Sequence, residues 1–296
     1  MLLLNASGCL DALAAPELAR SLDGFVSKTV TPEARGGNEP VRIAETGHGM
    51  LNSIGLQNPG RNRFIAEVLP QLRELGLPLW ISVGGFAAHE YAETCAQLAD
   101  VTIELNLSCP NVDEAPESAA EIVAACRAAT PLRLFAKLSP ALPDIAEVAR
   151  AVDAAGGDGL SLVNTIRGLE LDERTLRPRL ARAVGGYSGP ALKPIALAAV
   201  YACFRATDLP IIGMGGIWNG RDALEFIAAG ASAVALGTVL FADPDAPDRI
   251  RREVDETAGL LGLEDPLQAR GVAHEPRPAS MASNLTTTKV PAFLAN

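Results

Sequence analysis

A thiol stands between two amides in the run Glu104-Leu105-Asn106-Leu107-Ser108-Cys109-Pro110-Asn111. Its first half alternates and carries β-formers, as a buried strand does, and Pro110 stops the pattern. Strand ends are where α/β enzymes keep reactive groups, so Cys109 could serve there as a general base or nucleophile. Asn106 and Asn111 on either side could hold a polar ring in one orientation. The competing account is a packed cysteine, because Cys is among the most buried residue types.

The ends of the other apolar runs supply the context. Ser7, Lys28, Ser82 and Lys137 close four of them, and Asn164 with Thr165 closes a fifth. Packing explains any one of these polar residues but explains the ring of them poorly. Lys28 and Lys137 could form a Schiff base, bind an anion, or stabilise charge on a reduced cofactor ring. Gly215-Gly216 and Gly237-Thr238 end the last two runs, each before a helical pattern. Paired turns of this kind expose backbone N–H groups beside helix N-termini, which is how a barrel builds a phosphate site. Tight turns needing positive φ are the simpler account of one such turn and a weaker account of two. The loop from Thr46 to Gly60 adds many backbone and amide donors, suited to a flat ligand with carbonyls and a carboxylate; His48 within it reads as a loop residue.

These groups need a frame that brings eight strand ends together. Apolar runs at Leu2–Ala6, Gly24–Thr29, Leu79–Val83, Val101–Leu107, Leu132–Leu138, Gly159–Val163, Pro210–Met214 and Ala233–Gly237 read as buried strands. Between them lie helical patterns at Arg63–Leu75, Glu90–Leu98, Ser118–Ala128, Asp144–Ala155, Leu192–Ala206 and Arg221–Ala229. Alternation of this kind over 296 residues predicts an α/β fold, a single-domain (β/α)8 TIM barrel over residues 1–272, with a loosely packed tail over 273–296. A doubly wound open sheet is less favoured, because no Gly-x-Gly-x-x-Gly follows an early strand. Two connections, Val30–Asn62 and Ile166–Pro190, are too long for turns, and long ordered loops are usually functional.

Composition narrows the chemistry further. A formal net charge of −10 without a basic cluster argues against nucleic acid or an anionic membrane surface as partner. The five cysteines are scattered, with no Cys-x-x-Cys, so neither a disulfide framework nor a self-contained metal site is expected. The opening Met1-Leu2-Leu3-Leu4-Asn5 lacks a positive flank and a long apolar run, so a cytoplasmic protein is expected.

The motifs resemble those of the class 1 dihydroorotate dehydrogenases. Ala6-Ser7-Gly8, Lys28-Thr29, the run Met50 to Gly60, Asn106 to Asn111, Lys137-Leu138, Val163-Asn164-Thr165, Gly186 to Ala191, Gly215-Gly216 and Gly237-Thr238 occur in family order. The resemblance implies an FMN-containing barrel that oxidises (S)-dihydroorotate to orotate in pyrimidine biosynthesis. It implies that Cys109 removes the C5 proton while a hydride leaves C6 for the flavin; class 2 relatives use Ser there. Lys28, Asn52, Asn106, Asn111, Asn164 and Thr165 would hold the substrate, with Ser53, Ile54, Gly55 and Leu56 from the same loop as Asn52. Ser7, Lys28, Thr29, Ser82, Asn106 and Val163 would contact the flavin. Lys137 would face its N1/C2 side, and Gly189, Gly215, Gly216, Gly237 and Thr238 would line the phosphate.

The run Met50 to Pro59 is most similar to the NAD-linked type 1B. That type implies a catalytic homodimer with a separate subunit carrying FAD and an iron–sulfur cluster. A dihydropyrimidine dehydrogenase-like flavoprotein is the alternative enzyme, although such relatives usually carry His where this chain has Asn111. A lysine-dependent aldolase and a flavin-binding subunit without turnover are the remaining readings.

Overall fold

The computed structural model describes residues 1–107 and 119–276. Twelve strands occur among them. The eight that build the barrel are β1 (Leu2–Asn5), β2 (Phe25–Val26), β5 (Leu79–Val83), β6 (Thr102–Asn106), β7 (Leu134–Leu138), β8 (Gly159–Leu162), β11 (Ile211–Met214) and β12 (Ala233–Leu236). The other four are β3 (Ile43–Thr46), β4 (Gly49–Asn52), β9 (Ile166–Leu169) and β10 (Val184–Ser188). Every barrel run expected from the sequence forms a strand, trimmed at one or both ends in all but β5.

The barrel strands lie in the order β1-β12-β11-β8-β7-β6-β5-β2, all parallel. A parallel bridge between Leu4 and Gly24 joins the first strand to the last. The Asn5 side chain completes that seam. Its Oδ1 accepts from Val26 N and its Nδ2 donates to Val26 O, both at 2.8 Å. A side-chain amide thus supplies the bonds a neighbouring backbone would have made. Asn5 is fully buried, so water cannot replace them.

Parallel strands covered on both faces read as continuous apolar runs, and these do. Inside the barrel, Leu4, Val26, Phe135, Ile212, Met214, Ala233 and Ala235 form one cluster. Trp80 and Phe135 meet edge to face there at 4.6 Å, so the bottom of the barrel is packed rather than open. Outside, the core lies between the strands and helices including Ala88–Cys95, Ala119–Ala129, Ile145–Ala154, Lys193–Phe204, Gly220–Ala228 and Ala246–Leu260. The expected helix at Arg63–Leu75 forms as Arg61–Arg73 with its middle turns widened over Phe64–Val68. Pro70 follows the widened part; its ring cannot sit against the carbonyl four residues back.

Two features depart from the sequence reading. The long connections are not plain loops: they pair with each other in an antiparallel sheet of order β3-β4-β10-β9. Ala44, Leu51 and Leu180 give this sheet a small core of its own, with Tyr187 against it. The 15-residue helix Ala246–Leu260 was not among the expected helices; it packs on Gly220–Ala228.

At the start of the expected tail, His274 stacks on Tyr201 at 4.0 Å, and its Nε2 lies 2.9 Å from the Ala229 carbonyl. The tail beyond residue 276 lies outside the described residues. No helix among the described residues is long and apolar enough to cross a membrane.

Candidate active site

A cavity of about 280 Å³ opens at the C-terminal ends of the barrel strands, and residues of the small sheet border it. Ser7, Lys28, Thr29, Asn106, Lys137 and Val163 line it from the barrel side. Asn164 and Thr165 follow β8, and Asn52, Ile54 and Leu56 enter from the small sheet and the segment after it. Gly189, Gly215, Gly216, Gly237 and Thr238 border the same space. Residues far apart in the chain, some expected from their type at strand ends and others from the family resemblance, therefore share one chamber.

Three other expected residues stand one layer back. Ser82 is buried on β5 and holds Thr29, hydroxyl to hydroxyl, at 3.0 Å. Ser53 is buried, and its Oγ accepts from Asn38 Nδ2 at 3.0 Å. Gly55 has φ +75°, and a Cβ there would lie 2.5 Å from Asn38 Oδ1, so glycine serves the turn. Cys109 and Asn111 lie outside the described residues.

The polar groups hold one another. Asn106 Nδ2 donates to Thr29 Oγ1 at 3.0 Å, and Asn106 Oδ1 accepts from Asn164 Nδ2 at 3.1 Å. Asn164 Oδ1 accepts in turn from Thr165 N at 2.8 Å. Behind this line, the Tyr91 hydroxyl donates to the Asn106 carbonyl at 2.8 Å. On the opposite wall Asn52 Nδ2 donates to Gly186 O at 3.2 Å. Asn58, by contrast, braces its loop: its Oδ1 accepts from Thr31 N and Gly60 N, and its Nδ2 donates to Thr31 Oγ1 and Leu56 O.

Lys137 crosses the floor. Its Nζ donates to Ser7 Oγ at 2.9 Å and lies 3.5 Å from Glu104 Oε1. Cys9 borders the same floor; burial raises its thiol pKa, with Lys137 and Lys28 pulling it partly back and Glu104 adding to the rise. Neither Glu104 nor Cys9 stood out as a site residue in the sequence. Glu104 carried a signal: a charge inside an apolar strand, two residues before Asn106 and so on the same face.

The glycine turns differ in what they need. Gly216 has φ +87°, and a Cβ there would lie 2.6 Å from Lys193 N; Gly189 has φ +118°, with Gly49 Cα at 2.5 Å. At Gly237 a Cβ would meet nothing closer than Ala6 Cβ at 3.6 Å. Protein packing does not require glycine there, but a closely seated ligand would.

The helix after Gly215-Gly216 is capped by its own residues. Asn219 Oδ1 accepts from Asp222 N, while Asp222 Oδ2 accepts from Trp218 N and Asn219 N. The Asp222 carboxylate already occupies that helix N-terminus, so an anion beside it would have to be met by the glycine-turn backbone. Trp218 and Phe241, also not anticipated, are 37% and 58% exposed on the cavity rim.

A family model for dihydroorotate dehydrogenase matches residues 2–257. The chain belongs to the dihydroorotate dehydrogenase family. A relative from Trichlorobacter lovleyi is 44% identical over 255 residues, covering 82% of this chain and 84% of its own. A relative from Geobacillus sp. is 42% identical over 254 residues, covering 82% and 81%. Both are named dihydroorotate dehydrogenase B (NAD(+)), catalytic subunit, the class expected from the run Met50 to Pro59.

Among solved structures, ligand-free DHODH from Eimeria tenella superposes with a TM-score of 0.79 at 23% identity, covering 92% of this chain and 89% of that one. The DHODH–ferulenol complex from the same organism gives 0.76 at 24%, covering 93% and 86%. These two likenesses show the barrel fold of a dihydroorotate dehydrogenase and no more.

Proposed function

We propose that this chain is the catalytic subunit of an FMN-dependent class 1 dihydroorotate dehydrogenase of the NAD-linked type. It oxidises (S)-dihydroorotate to orotate in de novo pyrimidine (UMP) biosynthesis. The observation that carries this reading is the bonded line Thr29–Asn106–Asn164–Thr165, facing Lys28 and Lys137 in one chamber of a family member.

The donor set suits FMN. The lysines and the Ser7 hydroxyl are matched to a polar, electron-poor ring, and the open Cβ position at Gly237 admits a phosphate against the backbone. When bound, FMN supplies the two-electron acceptor.

The residues of the chain then have separable tasks. The linked amides fix one face and one in-plane orientation of the pyrimidine, so that the C5 proton and the C6 hydride depart from a ring that cannot rotate. Cys109, which follows the Asn106 strand in sequence, takes the C5 proton as general base, and Asn111 adds a further amide to the substrate. The small sheet borders the cavity, and by keeping water from that side it strengthens each of these polar contacts. A homodimer with a separate FAD and iron–sulfur subunit passes the electrons on to NAD.

Anaerobic addition of dihydroorotate to the purified protein tests the reading. Bleaching of the flavin spectrum is the expected result. Intact FMN that dihydroorotate leaves oxidised would overturn it.

A further inference from the structure

Beside the chamber lies a buried carboxylate that the proposed chemistry does not use. Glu104 is 1% exposed and Lys137 4%. The Glu104 side chain lies behind the cavity wall, whereas Lys137 lines the cavity. In register, Glu104 stands opposite Ser82 on β5 and Phe135 on β7. Phe135 in turn meets Trp80, two residues nearer the start of β5 than Ser82, edge to face at 4.6 Å. A carboxylate and an ammonium in such surroundings each lose hydration, and their attraction seldom returns the whole loss. Apolar residues of similar volume often serve stability as well or better, so stability alone does not account for this pair.

We propose that Glu104 is a positioning residue and the counter-charge of Lys137, holding the lysine tip at the cavity floor and limiting how strongly that lysine favours a negatively charged ring above it. The inference rests on the flavin reading of the cavity. Lys137 Nζ is held between Ser7 Oγ at 2.9 Å and Glu104 Oε1 at 3.5 Å. The hydroxyl is the closer partner and fixes position, while the carboxylate contributes charge from slightly farther away. With Glu104 ionised, the pair is close to neutral and an uncharged oxidised ring can sit over it without facing a bare cation. Removing the negative charge leaves the ammonium unbalanced, and a reduced, anionic ring is then favoured over the oxidised one.

The test compares the FMN-loaded wild type with E104Q and E104D. The readouts are the flavin midpoint potential, by dye equilibration, and the dissociation constant of sulfite, which adds to flavin to give an anion. E104Q keeps the side-chain shape and removes the charge. It is expected to shift the two-electron equilibrium towards the reduced form about tenfold, or about 30 mV upward, and to bind sulfite more tightly. E104D keeps the charge but withdraws it by one methylene, so its shift should have the same sign and be smaller. A purely structural role would lower flavin content or melting temperature without moving the potential in this direction. An unmoved or lowered potential in E104Q overturns the inference; should that variant not retain FMN, the same result in E104D does so. A wild-type protein that binds no FMN would refute the flavin reading itself, and this inference with it.

Discussion

Asn164 donates through Nδ2 to Oδ1 of Asn106 at 3.1 Å, joining the ends of β8 and β6 across β7, the strand that carries Lys137. The bond sets which way both amides face, because Asn106 Nδ2 is already committed to Thr29. Asn164→Ala would remove the donor to Asn106 and the acceptor for Thr165 N. Leaving a polar partner unsatisfied costs about 1–3 kcal/mol where water is excluded, and this bond is part-buried. If that loss falls on substrate orientation, kcat/KM for dihydroorotate should drop roughly 10- to 100-fold while FMN content stays unchanged. Steady-state kinetics on the flavin-loaded variant checks this; wild-type kcat/KM would show that the amide line does not orient substrate.

Two glycines separate what the fold needs from what the ligand needs. Gly216→Ala forces a Cβ to 2.6 Å from Lys193 N at φ +87°, and a strained position of this kind costs about 1–3 kcal/mol. Both the melting temperature and the FMN affinity should fall. Gly237→Ala meets no atom within 3.6 Å, so stability should change by less than about 0.5 kcal/mol. FMN affinity should nevertheless fall at least about tenfold, because the added methyl occupies the space offered to the phosphate. Titration of the apoproteins with FMN, alongside thermal melts, distinguishes the two effects. Unaltered FMN binding by Gly237→Ala would remove that turn from the phosphate site.

The barrel was legible because buried parallel strands have no polar face to confuse their pattern: Leu79–Val83 and Ala233–Leu236 read as strands from their residues alone. The small sheet was not. Ile166–Leu169 and Val184–Ser188 are short, incompletely buried and glycine-bearing, and each depends on partners that local sequence cannot reveal. Asn52, for example, pairs with Gly186, which is distant in sequence. The candidate site was legible where a polar or charged residue stands at the end of an apolar run, as at Lys28, Lys137 and Asn106, all of which line the cavity. The rim residues Trp218 and Phe241 were hidden because apolar side chains after a glycine turn look like ordinary core. Ser53 sits in the same motif as Asn52, but it is buried and its hydroxyl accepts from Asn38 Nδ2, a partner that local sequence does not reveal.

Asn5 offers a test of how the barrel is closed. Its two 2.8 Å bonds to Val26 bridge the one seam where the first and last strands of the sheet meet. Asn5→Ala leaves a buried N–H and a buried carbonyl unpaired, so the loss should be about 2–5 kcal/mol, at the upper end for a point substitution. Asn5→Asp retains an acceptor for Val26 N but sets a carboxylate against the Val26 carbonyl, and should be no more stable than Asn5→Ala. Urea unfolding monitored by far-UV circular dichroism measures both. A loss below about 1 kcal/mol in Asn5→Ala would mean that the strand packing, rather than this amide, holds the seam.

Stability should also decline in alkali, in part through Cys203. This thiol is fully buried in the helix Lys193–Phe204, with its Sγ 3.7 Å from the Ile145 carbonyl. Burial, aided by Asp144, pushes its pKa up from 9.0 to about 12. Below pH 9 both the folded and unfolded chains keep the proton, so the group adds no pH dependence. Between about pH 9 and 12 the unfolded chain releases a proton that the folded chain retains. The unfolded state then binds fewer protons, ΔG of unfolding falls as pH rises, and the full effect approaches about 4 kcal/mol at most. Other groups titrate in the same range, so the informative quantity is the difference from Cys203→Ala, whose loss of stability between pH 8 and 10.5 should be smaller than that of the wild type. Parallel pH profiles for the two proteins would show that Cys203 loses its proton as readily in the folded chain as in the unfolded one, contrary to the burial argument.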